Sequence, residues 1–411
     1  MDKSYIRFTK EMKKDYTVLI PTMLPMHLKM VSKVLSYYGY KTEVLENMGK
    51  PVIDTGLKYV HNDTCYPAIL VIGQFINALQ SGRYDTDKVA LVFFQTGGGC
   101  RASNYVSLLR KSLKKAGLSH VPVIALSMVG IETHPGFKLD LFKLHKMIYA
   151  VLYGDLLMCL ANQVKPYEKV KGETEKLVEK WVDTLSDQLV RGRFSYKKIK
   201  KNYISIVEEF AAVEVKKEEK VKVGIVGEIF VKYSPLGNNN LEKFLYEEGA
   251  EVVVPGMLDF LMYCLSNPVK DSELYGNKKF TAFASGIGYK FLLSKQQDII
   301  DIINKNGRFL PPTSFEKVKS FAEGYIGRGT KMGEGWLLTA EMLELAHEGV
   351  KNIICTQPFG CLPNHICGKG MMKPIKEKNP DVNIVAIDYD AGATAVNQEN
   401  RIKLMLANAK K

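Results

Sequence analysis

Short apolar runs alternate along the chain with longer stretches in which apolar residues recur every three or four positions. The short runs predict buried strands, and the periodic stretches predict amphipathic helices. In the first half, the predicted strands are 17–21, 41–46, 89–94 and 121–126, and the predicted helices are 24–38, 69–79 and 105–116. This alternation indicates an α/β fold with a parallel sheet.

The second half repeats the same order of elements. Its predicted strands are 221–227, 251–254, 351–354 and 382–388, and its predicted helices are 240–248 and 336–346. Gly39 and Gly249 are each placed to end the helix between the first two strands of a half. We therefore predict two similar α/β lobes with parallel sheets, related by a weak internal repeat.

Residues 165–220 separate the halves and are charged and poor in glycine. Their apolar positions fall on one helical face, which predicts two long helices that bridge or brace the lobes. The expected organisation is a first lobe over 1–164, a helical connector over 165–220 and a second lobe over 221–411. The connector's apolar face comprises Leu177, Val178, Trp181, Leu185 and Leu189.

The composition is that of a globular protein, with 411 residues, 46% hydrophobic and 25% charged. The N-terminus has no apolar signal segment, and runs such as 89–94 are too short to cross a bilayer. These features predict a soluble, cytoplasmic protein without a membrane partner.

The net charge of +13 comes mainly from dispersed lysines. The densest group, within 197–201 and 216–222, alternates with glutamate and indicates a solvated helix face rather than a nucleic-acid surface. Such a surface also suits an acidic protein partner or a phosphate-bearing cofactor.

Seven cysteines are scattered along the chain, and none forms a Cys-x-x-Cys pair. The odd number and the expected reducing compartment argue against a disulfide framework, and the spacing argues against a zinc finger. The thiols are therefore either brought together by folding or buried as inert core residues. They are Cys65, Cys100, Cys159, Cys264, Cys355, Cys361 and Cys367.

In each half, one predicted strand runs into a glycine-containing turn that ends in cysteine, at 95–100 and at 357–361. Ligands in α/β folds bind at strand ends, so two facing ends would bring thiolates from both halves to one place. Glycines let backbone N–H groups approach cluster sulfides. We interpret the pattern as an iron–sulfur site. For Cys100, the alternative is a phosphate-cradling loop formed by Gly97, Gly98 and Gly99.

The remaining candidates each have a competing structural explanation. Cys65 follows 62–64 at a predicted helix start, where the helix dipole lowers a thiol pKa, although a buried structural cysteine is the alternative. Core packing competes for Cys264 and is favoured for Cys159. Cys355 and Cys361 flank a tight turn containing Gly360, and Cys367 is a further candidate ligand.

Two other polar residues have a possible role near the thiols. His365 is either a hydrogen-bond donor to a sulfide or a turn residue. Glu334 is either a proton donor at the site or a cap at the start of a predicted helix. The chain has no Walker A motif, so any ATP use belongs to another protein.

At these motifs the chain resembles the 2-hydroxyacyl-CoA dehydratase superfamily, in particular the branch related to activases of CoA-substrate-specific enzymes and to double-cubane cluster proteins. The match to family motifs is best at Cys65, Cys100, Cys355 and Cys361, with Cys264 added. The resembling segments are 62–68, 95–104, 333–339, 355–366 and 387–390.

The resemblance implies two flavodoxin-like lobes with an iron–sulfur cluster, either [4Fe–4S] or double-cubane [8Fe–9S], in the cleft between them. It also implies a separate ATP-hydrolysing activase, carrying its own [4Fe–4S] cluster, that supplies low-potential electrons. A double cubane requires six thiolates, so it would also need Cys159 or Cys367.

The expected function is therefore reductive or radical chemistry on a small substrate, with or without a CoA group, by an oxygen-sensitive oxidoreductase or lyase component. Two alternatives stay open: a non-catalytic electron carrier or cluster component that docks with an activase, and a metal-free binder of a phosphorylated small molecule. The substrate and the oligomeric state, including a homodimer, also stay open.

Overall fold

The computed structural model describes residues 5–95, 99–127, 132–191 and 195–409. The strands within these ranges form two four-stranded sheets in which every paired strand runs parallel. The fold is α/β with two flavodoxin-like lobes, as predicted.

The first sheet has the strand order β2-β1-β3-β4. Its inner strands are buried because helices cover both faces of the sheet, as is usual for parallel sheets. The strands are β1 (Thr17–Ile20), β2 (Lys41–Val44), β3 (Val89–Gln95) and β4 (Val123–Ser127). The helices of this part are α1 (Met12–Asp15), α2 (Pro25–Tyr37), α3 (Lys50–Tyr59), α4 (Tyr66–Gln80) and α5 (Tyr105–Lys115).

A helical body follows the first sheet in the chain. It begins with α6 (Leu141–Val164), α7 (Glu173–Val190) and α8 (Tyr196–Ala212). The last two are the long helices predicted within 165–220. Residues 216–221, which belong to the lysine-rich group, are not helical and lead into the second sheet, so the helical assignment of that stretch was wrong.

The second sheet has the order β6-β5-β7-β8. Its four strands are thus arranged in the same sequence-to-space order as the four strands of the first sheet. The predicted internal repeat is confirmed at the level of topology. The elements are β5 (Lys222–Gly227), α9 (Ile229–Tyr233), α10 (Pro235–Asn238), α11 (Leu241–Glu247), β6 (Glu251–Val253), α12 (Met257–Tyr275), α13 (Lys279–Asn306), α14 (Phe315–Phe321), α15 (Trp336–His347), β7 (Asn352–Pro358), α16 (Met372–Lys378), β8 (Asn383–Tyr389) and α17 (Ala395–Ala409).

The second half differs from the first by the helices α12 to α14, which lie in the chain between β6 and β7. These helices pack with α6, α7 and α8 around one apolar core, to which Trp181, Met262 and Trp336 contribute. The sequence indicated only an apolar helical stretch near Leu258 in this region.

Helix α6 is the longest apolar segment, and sequence analysis overlooked it. The stretch Leu141–Tyr167 is the one described helix whose length and composition would suit a membrane span. In the folded chain, however, 67% of its most apolar window is buried inside the protein. Its apolar residues are used in the core, as in the central helix of a soluble protein.

The two lobes are in direct contact. One apolar core contains Leu19 and Leu91 from the first sheet together with Val223 and Ile225 from the second. Between the lobes, the fully buried Ser234 hydroxyl donates a hydrogen bond to the carbonyl oxygen of Thr22, at 3.0 Å. The carboxyl ends of both sheets are held close together by this contact and by those described next.

Candidate functional site

Three thiols come from three loops at the carboxyl ends of the sheets. Cys65 is the residue before α4, Cys100 follows β3, and Cys361 follows β7. Strands β3 and β7 hold equivalent positions, next to the first strand of each lobe, where the direction of strand order reverses. Ligand crevices of flavodoxin-like sheets form at this switch point.

The loop after β7 rests directly on the start of α4. The Tyr66 N–H donates to the carbonyl oxygen of Phe359 at 3.0 Å. Gly360 has a φ of +73°, and a Cβ atom there would lie 3.2 Å from the Cα atom of Cys65. Glycine at this position therefore lets the Cys361 loop of one lobe approach the Cys65 loop of the other.

A second glycine brings another segment against Cys100. Gly333 has a φ of +59°, and a Cβ atom there would lie 3.1 Å from Pro363 and 3.9 Å from the sulfur of Cys100. Arg101 also donates a hydrogen bond to the carbonyl oxygen of Asp63, which ties the Cys100 loop to the Cys65 loop. Cys65, Cys100 and Cys361 thus belong to one compact region between the lobes.

Two buried carboxyl groups accompany the thiols, and both bind the N-terminus of α9. The Glu228 side chain accepts from the Val231 N–H at 2.9 Å, and the Glu334 side chain accepts from the Ile229 N–H at 3.0 Å. Burial and the neighbouring Glu334 carboxyl raise the pKa of Glu228 to about 8. Burial also raises the pKa of Glu334. At neutral pH the pair therefore retains at least one proton.

Glu334 caps a helix, but not the one predicted. The capped helix is α9 of the same lobe, whereas the prediction was α15, the helix that follows Glu334 in the chain. Glu228 was not identified from the sequence. The signal that would have found it is its position directly after β5, whose carboxyl end lies beside that of β7.

Burial makes the three thiols poor acids. It raises the pKa of Cys100 to about 11, and it raises the pKa values of Cys65 and Cys361 as well. The charges of Glu228 and Glu334 add to this effect at Cys100 and Cys361. Cys65 does lie at a helix start, but the prediction that its pKa is lowered was wrong, because burial outweighs the hydrogen bonds from Tyr105 and the Ala68 N–H that lower it. Without a cation to bind them, these sulfurs are thiols at neutral pH, not reactive thiolates.

The side chain of Tyr105 contacts the sulfur of Cys65. Its hydroxyl lies 2.8 Å from the Cys65 sulfur, and its ring stacks on Phe93 with centroids 5.4 Å apart. Burial, followed by the charge of Cys65, holds the pKa of Tyr105 well above its usual value. Tyr105 therefore stays protonated and can donate to a Cys65 thiolate. Sequence analysis did not single it out.

Cys355 does not join the three thiols. It lies within β7, fully buried in an apolar core with Val226 and Met342, and its sulfur is 3.6 Å from the Asn364 side-chain oxygen. The six-residue separation from Cys361 includes the end of the strand and a turn, so the two sulfurs are directed to different surroundings.

Cys264 and Cys367 lie near the Gly333–Glu334 segment. Cys264 follows Tyr263, whose hydroxyl donates to the Gly333 carbonyl oxygen at 2.9 Å. The carbonyl oxygen of Cys367 accepts from Thr339 at 2.7 Å. Burial and Glu334 raise the pKa values of both thiols, to about 12 for Cys264 and about 11 for Cys367.

Cys159 lies apart from the other cysteines, on α6. Its sulfur accepts from the Gln163 amide at 3.4 Å and lies 3.8 Å from the carbonyl oxygen of Leu310.

Of the remaining predicted residues, Gly97 and Gly98 lie outside the described residues. Gly99 packs against Met332, since a Cβ atom there would overlap the Met332 sulfur at 2.2 Å. His365 is exposed, and its Nδ1 atom lies 2.7 Å from the carbonyl oxygen of Cys361 and 2.6 Å from the Gln357 amide nitrogen. His365 thus contacts the Cys361 loop through its backbone.

Among the described residues, no three His, Cys, Asp or Glu side chains converge closely enough to hold a single metal ion. An iron–sulfur cubane is a larger object, and each cysteine binds a different iron of it. The spacing of Cys65, Cys100 and Cys361 around a common region is therefore relevant to a cluster rather than to one ion.

No protein-family model matches the chain, and no curated protein matches it in sequence. The superfamily resemblance stays a prediction from the motifs.

Proposed function

We propose that this chain is an iron–sulfur protein of the 2-hydroxyacyl-CoA dehydratase type, with Cys65, Cys100 and Cys361 as cluster ligands between the lobes. The observation that carries the proposal is the convergence of three thiols from both lobes beside Glu228 and Glu334, with Cys65 and Cys361 buried and Cys100 partly buried. Core cysteines have no reason to gather at the switch points of two sheets.

The residues present fit a cluster in three respects. Thiols are the ligands that iron–sulfur clusters require. Gly333 and Gly360 keep side chains away from the space beside Cys100 and Cys65. Cys65 and Cys361 are buried and Cys100 is partly buried, which limits access of water and oxygen to whatever they bind. Their raised pKa values mean that binding must displace the thiol protons, so cluster affinity should increase with pH.

A bound cluster would supply one-electron chemistry at low potential. The surrounding residues define what the protein adds to this. The Tyr105 hydroxyl lies 2.8 Å from the Cys65 sulfur, so it would donate to a Cys65 thiolate and orient it. Glu228 and Glu334 share at least one proton next to the thiols, so the site can deliver a proton at the place where an electron arrives.

The enzyme interpretation is favoured over that of an electron carrier. A cubane has four irons, and three thiols leave one iron without a cysteine ligand. A substrate bound at or near that position would reach the proton held by Glu228 and Glu334. A double cubane would need three further thiolates; Cys264 and Cys367, whose pKa values are both raised by burial and by Glu334, are two candidates, and a third thiolate would still be needed.

The proposed electron donor is the ATP-hydrolysing activase, because the chain has no phosphate-binding Walker motif of its own. The surface around the site suits a protein partner, since large apolar side chains there are about half exposed. These are Phe94, Met332, Phe359, Leu362 and Ile366.

The first test is iron and acid-labile sulfide per chain after purification without oxygen. A single cubane predicts about four of each, and a double cubane about eight irons and nine sulfides. Cys100→Ser and Cys361→Ser should each lose most of the iron, whereas the control Cys159→Ser should retain it. Full iron in both site variants, or no iron in the native protein after reconstitution, would refute the proposal.

A further inference from the structure

A second group of buried ionisable residues lies on the inner side of α9, away from the thiols. Lys232 of α9 and Glu341 of α15 form an ion pair of 2.8 Å, and both side chains are at least 96% buried. Asp259 of α12 and Glu344 of α15 are also buried, with 4% and 7% of their surfaces exposed. We call Asp259, Glu341 and Glu344 the acid cluster.

The number of cationic groups nearby determines how many members of the acid cluster are ionised. Lys232 is the one cationic side chain among the described residues that acts on all three carboxyl groups. Three carboxylates against one ammonium would leave two uncompensated charges in the interior, which is strongly unfavourable. Two of the three groups are therefore neutral acids at neutral pH.

The surroundings of Glu344 agree with this count, whereas the one hydrogen bond at Asp259 favours its ionised form and is outweighed by burial. Asp259 accepts from the Gln296 amide at 3.0 Å, and Gln296 is itself oriented by the Phe315 N–H at 2.9 Å. One oxygen of the Glu344 carboxyl is buried without a hydrogen-bond partner among the described residues. An ionised carboxylate would not be stable in that position, whereas a neutral carboxylic acid loses less free energy when one of its oxygens has no hydrogen-bond partner. Burial, then Asp259 and Glu341, raise the pKa of Glu344 well above its usual value.

The acid cluster is connected in two directions. Toward the thiols, Lys232 belongs to the same short helix whose N-terminus is bound by Glu228 and Glu334, and its charge lowers the pKa of both. Toward solvent, Glu348 lies one turn beyond Glu344 on α15, accepts from the Thr313 hydroxyl at 3.3 Å, and is partly exposed.

We propose that Asp259, Glu341 and Glu344 form a buried proton store that supplies a proton, through Lys232, to the Glu228–Glu334 pair when the thiol site gains an electron. This inference rests on the proposed function. The low-potential donor would be oxidised and the cluster held by the thiols would be reduced by one electron. One carboxylic acid of the store would then become a carboxylate, and its proton would move to the ionised member of the pair. The store regains a proton from solvent at the Glu348 end of α15.

The titratable groups that face the store from other elements either have hydrogen-bond partners of their own or are kept neutral by burial. The Asp155 carboxylate has its own partners, namely His27 at 2.8 Å and two N–H groups at the start of α12. The pKa values of the other facing groups are raised by burial, so they stay neutral. These are Tyr233 of α9, Tyr289 of α13 and Cys355 of β7.

The existence of the store is testable on the full chain without iron. The infrared spectrum at neutral pH should contain carbonyl bands of protonated carboxylic acids, and Glu344→Gln and Asp259→Asn should each reduce them. Glu348→Gln, on the same helix but at the surface, is the matched control and should leave them unchanged. Near-ultraviolet circular dichroism checks that each variant is folded. Unaltered carboxylic-acid bands in both variants of the acid cluster would overturn the proposal.

Coupling to the electron is tested on the iron-loaded chain, by infrared difference spectra taken immediately after photoreduction. The native protein should lose a carboxylic-acid band, and at least one of Asp259→Asn, Glu341→Gln and Glu344→Gln should abolish that loss. Glu348→Gln should keep the loss but delay its recovery. The same loss of the band in all three variants of the acid cluster, or no loss of the band in the native protein, would overturn the proposal. If the chain binds no iron, the proposed function fails and the coupling fails with it, while the iron-free spectra still decide whether the store exists.

Discussion

At the scale of single residues, the site depends on two glycines as much as on its cysteines. Gly360 holds a backbone conformation that other residues adopt only with strain, and it does so in contact with Cys65. Gly333 does the same beside Cys100. A side chain at either position would enter the region between the lobes, so these glycines define the space available to a ligand.

Gly360→Ala should both destabilise the protein and lower its iron content. The left-handed backbone costs roughly 1–2 kcal/mol for alanine, and displacement of Cys65 should add about 1–3 kcal/mol. Gly249→Ala is the matched control, because its φ is +81° with no atom within 4 Å of the new methyl group. Urea unfolding and iron analysis should show the extra loss only at Gly360. Equal effects at the two positions would contradict the inferred contact.

Glu228 should make stability depend on pH in a direction opposite to that of an ordinary acidic residue. Its pKa is raised from 4.5 to about 8 by burial and by Glu334, so the folded state binds a proton that the unfolded state releases. Stability should therefore be greatest below pH 4.5 as far as this group is concerned, and should fall between pH 4.5 and 8 by up to about 1.4 kcal/mol per pH unit.

Glu228→Gln should flatten that part of the stability curve in iron-free protein, as measured by denaturant unfolding at several pH values. Glu247→Gln, at an exposed position of α11, is the control and should keep the native slope. An unchanged slope in Glu228→Gln would show that the carboxyl group is ionised in the folded protein.

At the scale of elements, helices α2, α6 and α12 are joined by one buried arrangement. His27 of α2 binds Asp155 of α6, and Asp155 also accepts two N–H groups at the N-terminus of α12, at 3.0 and 2.7 Å. Gly154 makes this possible, because a Cβ atom there would lie 2.3 Å from the His27 ring. The arrangement links the first lobe to the helices that lie between β6 and β7.

Two glycine-to-alanine changes inside helices should therefore have opposite signs. Gly286→Ala in α13 meets nothing closer than 3.9 Å, so it should stabilise the protein by about 1 kcal/mol through helix propensity. Gly154→Ala in α6 should instead destabilise it by about 1–3 kcal/mol, because the methyl group displaces His27. Thermal and urea unfolding measure both, and stabilisation by Gly154→Ala would contradict the packing.

The strands and most helices of the two lobes were predictable because each is specified locally, by an apolar run or by a helical period ended by glycine. The surroundings of the cysteines were not. Cys355 and Cys361 are close in sequence, yet only pairing of β7 within the sheet decides that the first is buried in the core. Glu228 and Tyr105 join the site through contacts distant in sequence, and α13 has a weak periodic pattern that gave no clear signal.

At the scale of the whole molecule, the two sheets share an apolar core, and a helical body packs with both halves of the chain. Each lobe also has an apolar core of its own, but the core that the two sheets share and the helical body join the lobes to each other. The two tryptophans, Trp181 and Trp336, both lie in the helical body, whereas the sheets contribute to far-ultraviolet circular dichroism.

Unfolding should therefore give one transition that is the same by both probes. Tryptophan fluorescence and circular dichroism, followed in the same urea titration, are expected to have coincident midpoints. Ser234→Ala, which removes the hydrogen bond between the lobes, should lower the midpoint by both probes together, with a cost of about 1 kcal/mol. Separate midpoints would show that the lobes are independent units.

The division of the three thiols between the lobes has a consequence for biosynthesis. Cys65 and Cys100 are made early, but Cys361 is added only when most of the second lobe has been translated. N-terminal units generally fold first during synthesis, so the first lobe contains only Cys65 and Cys100 of the three thiols until the second lobe is complete. A cluster bound as proposed would therefore be loaded only late in synthesis, and a chain that ends before Cys361 would contain Cys65 and Cys100 without the third proposed ligand.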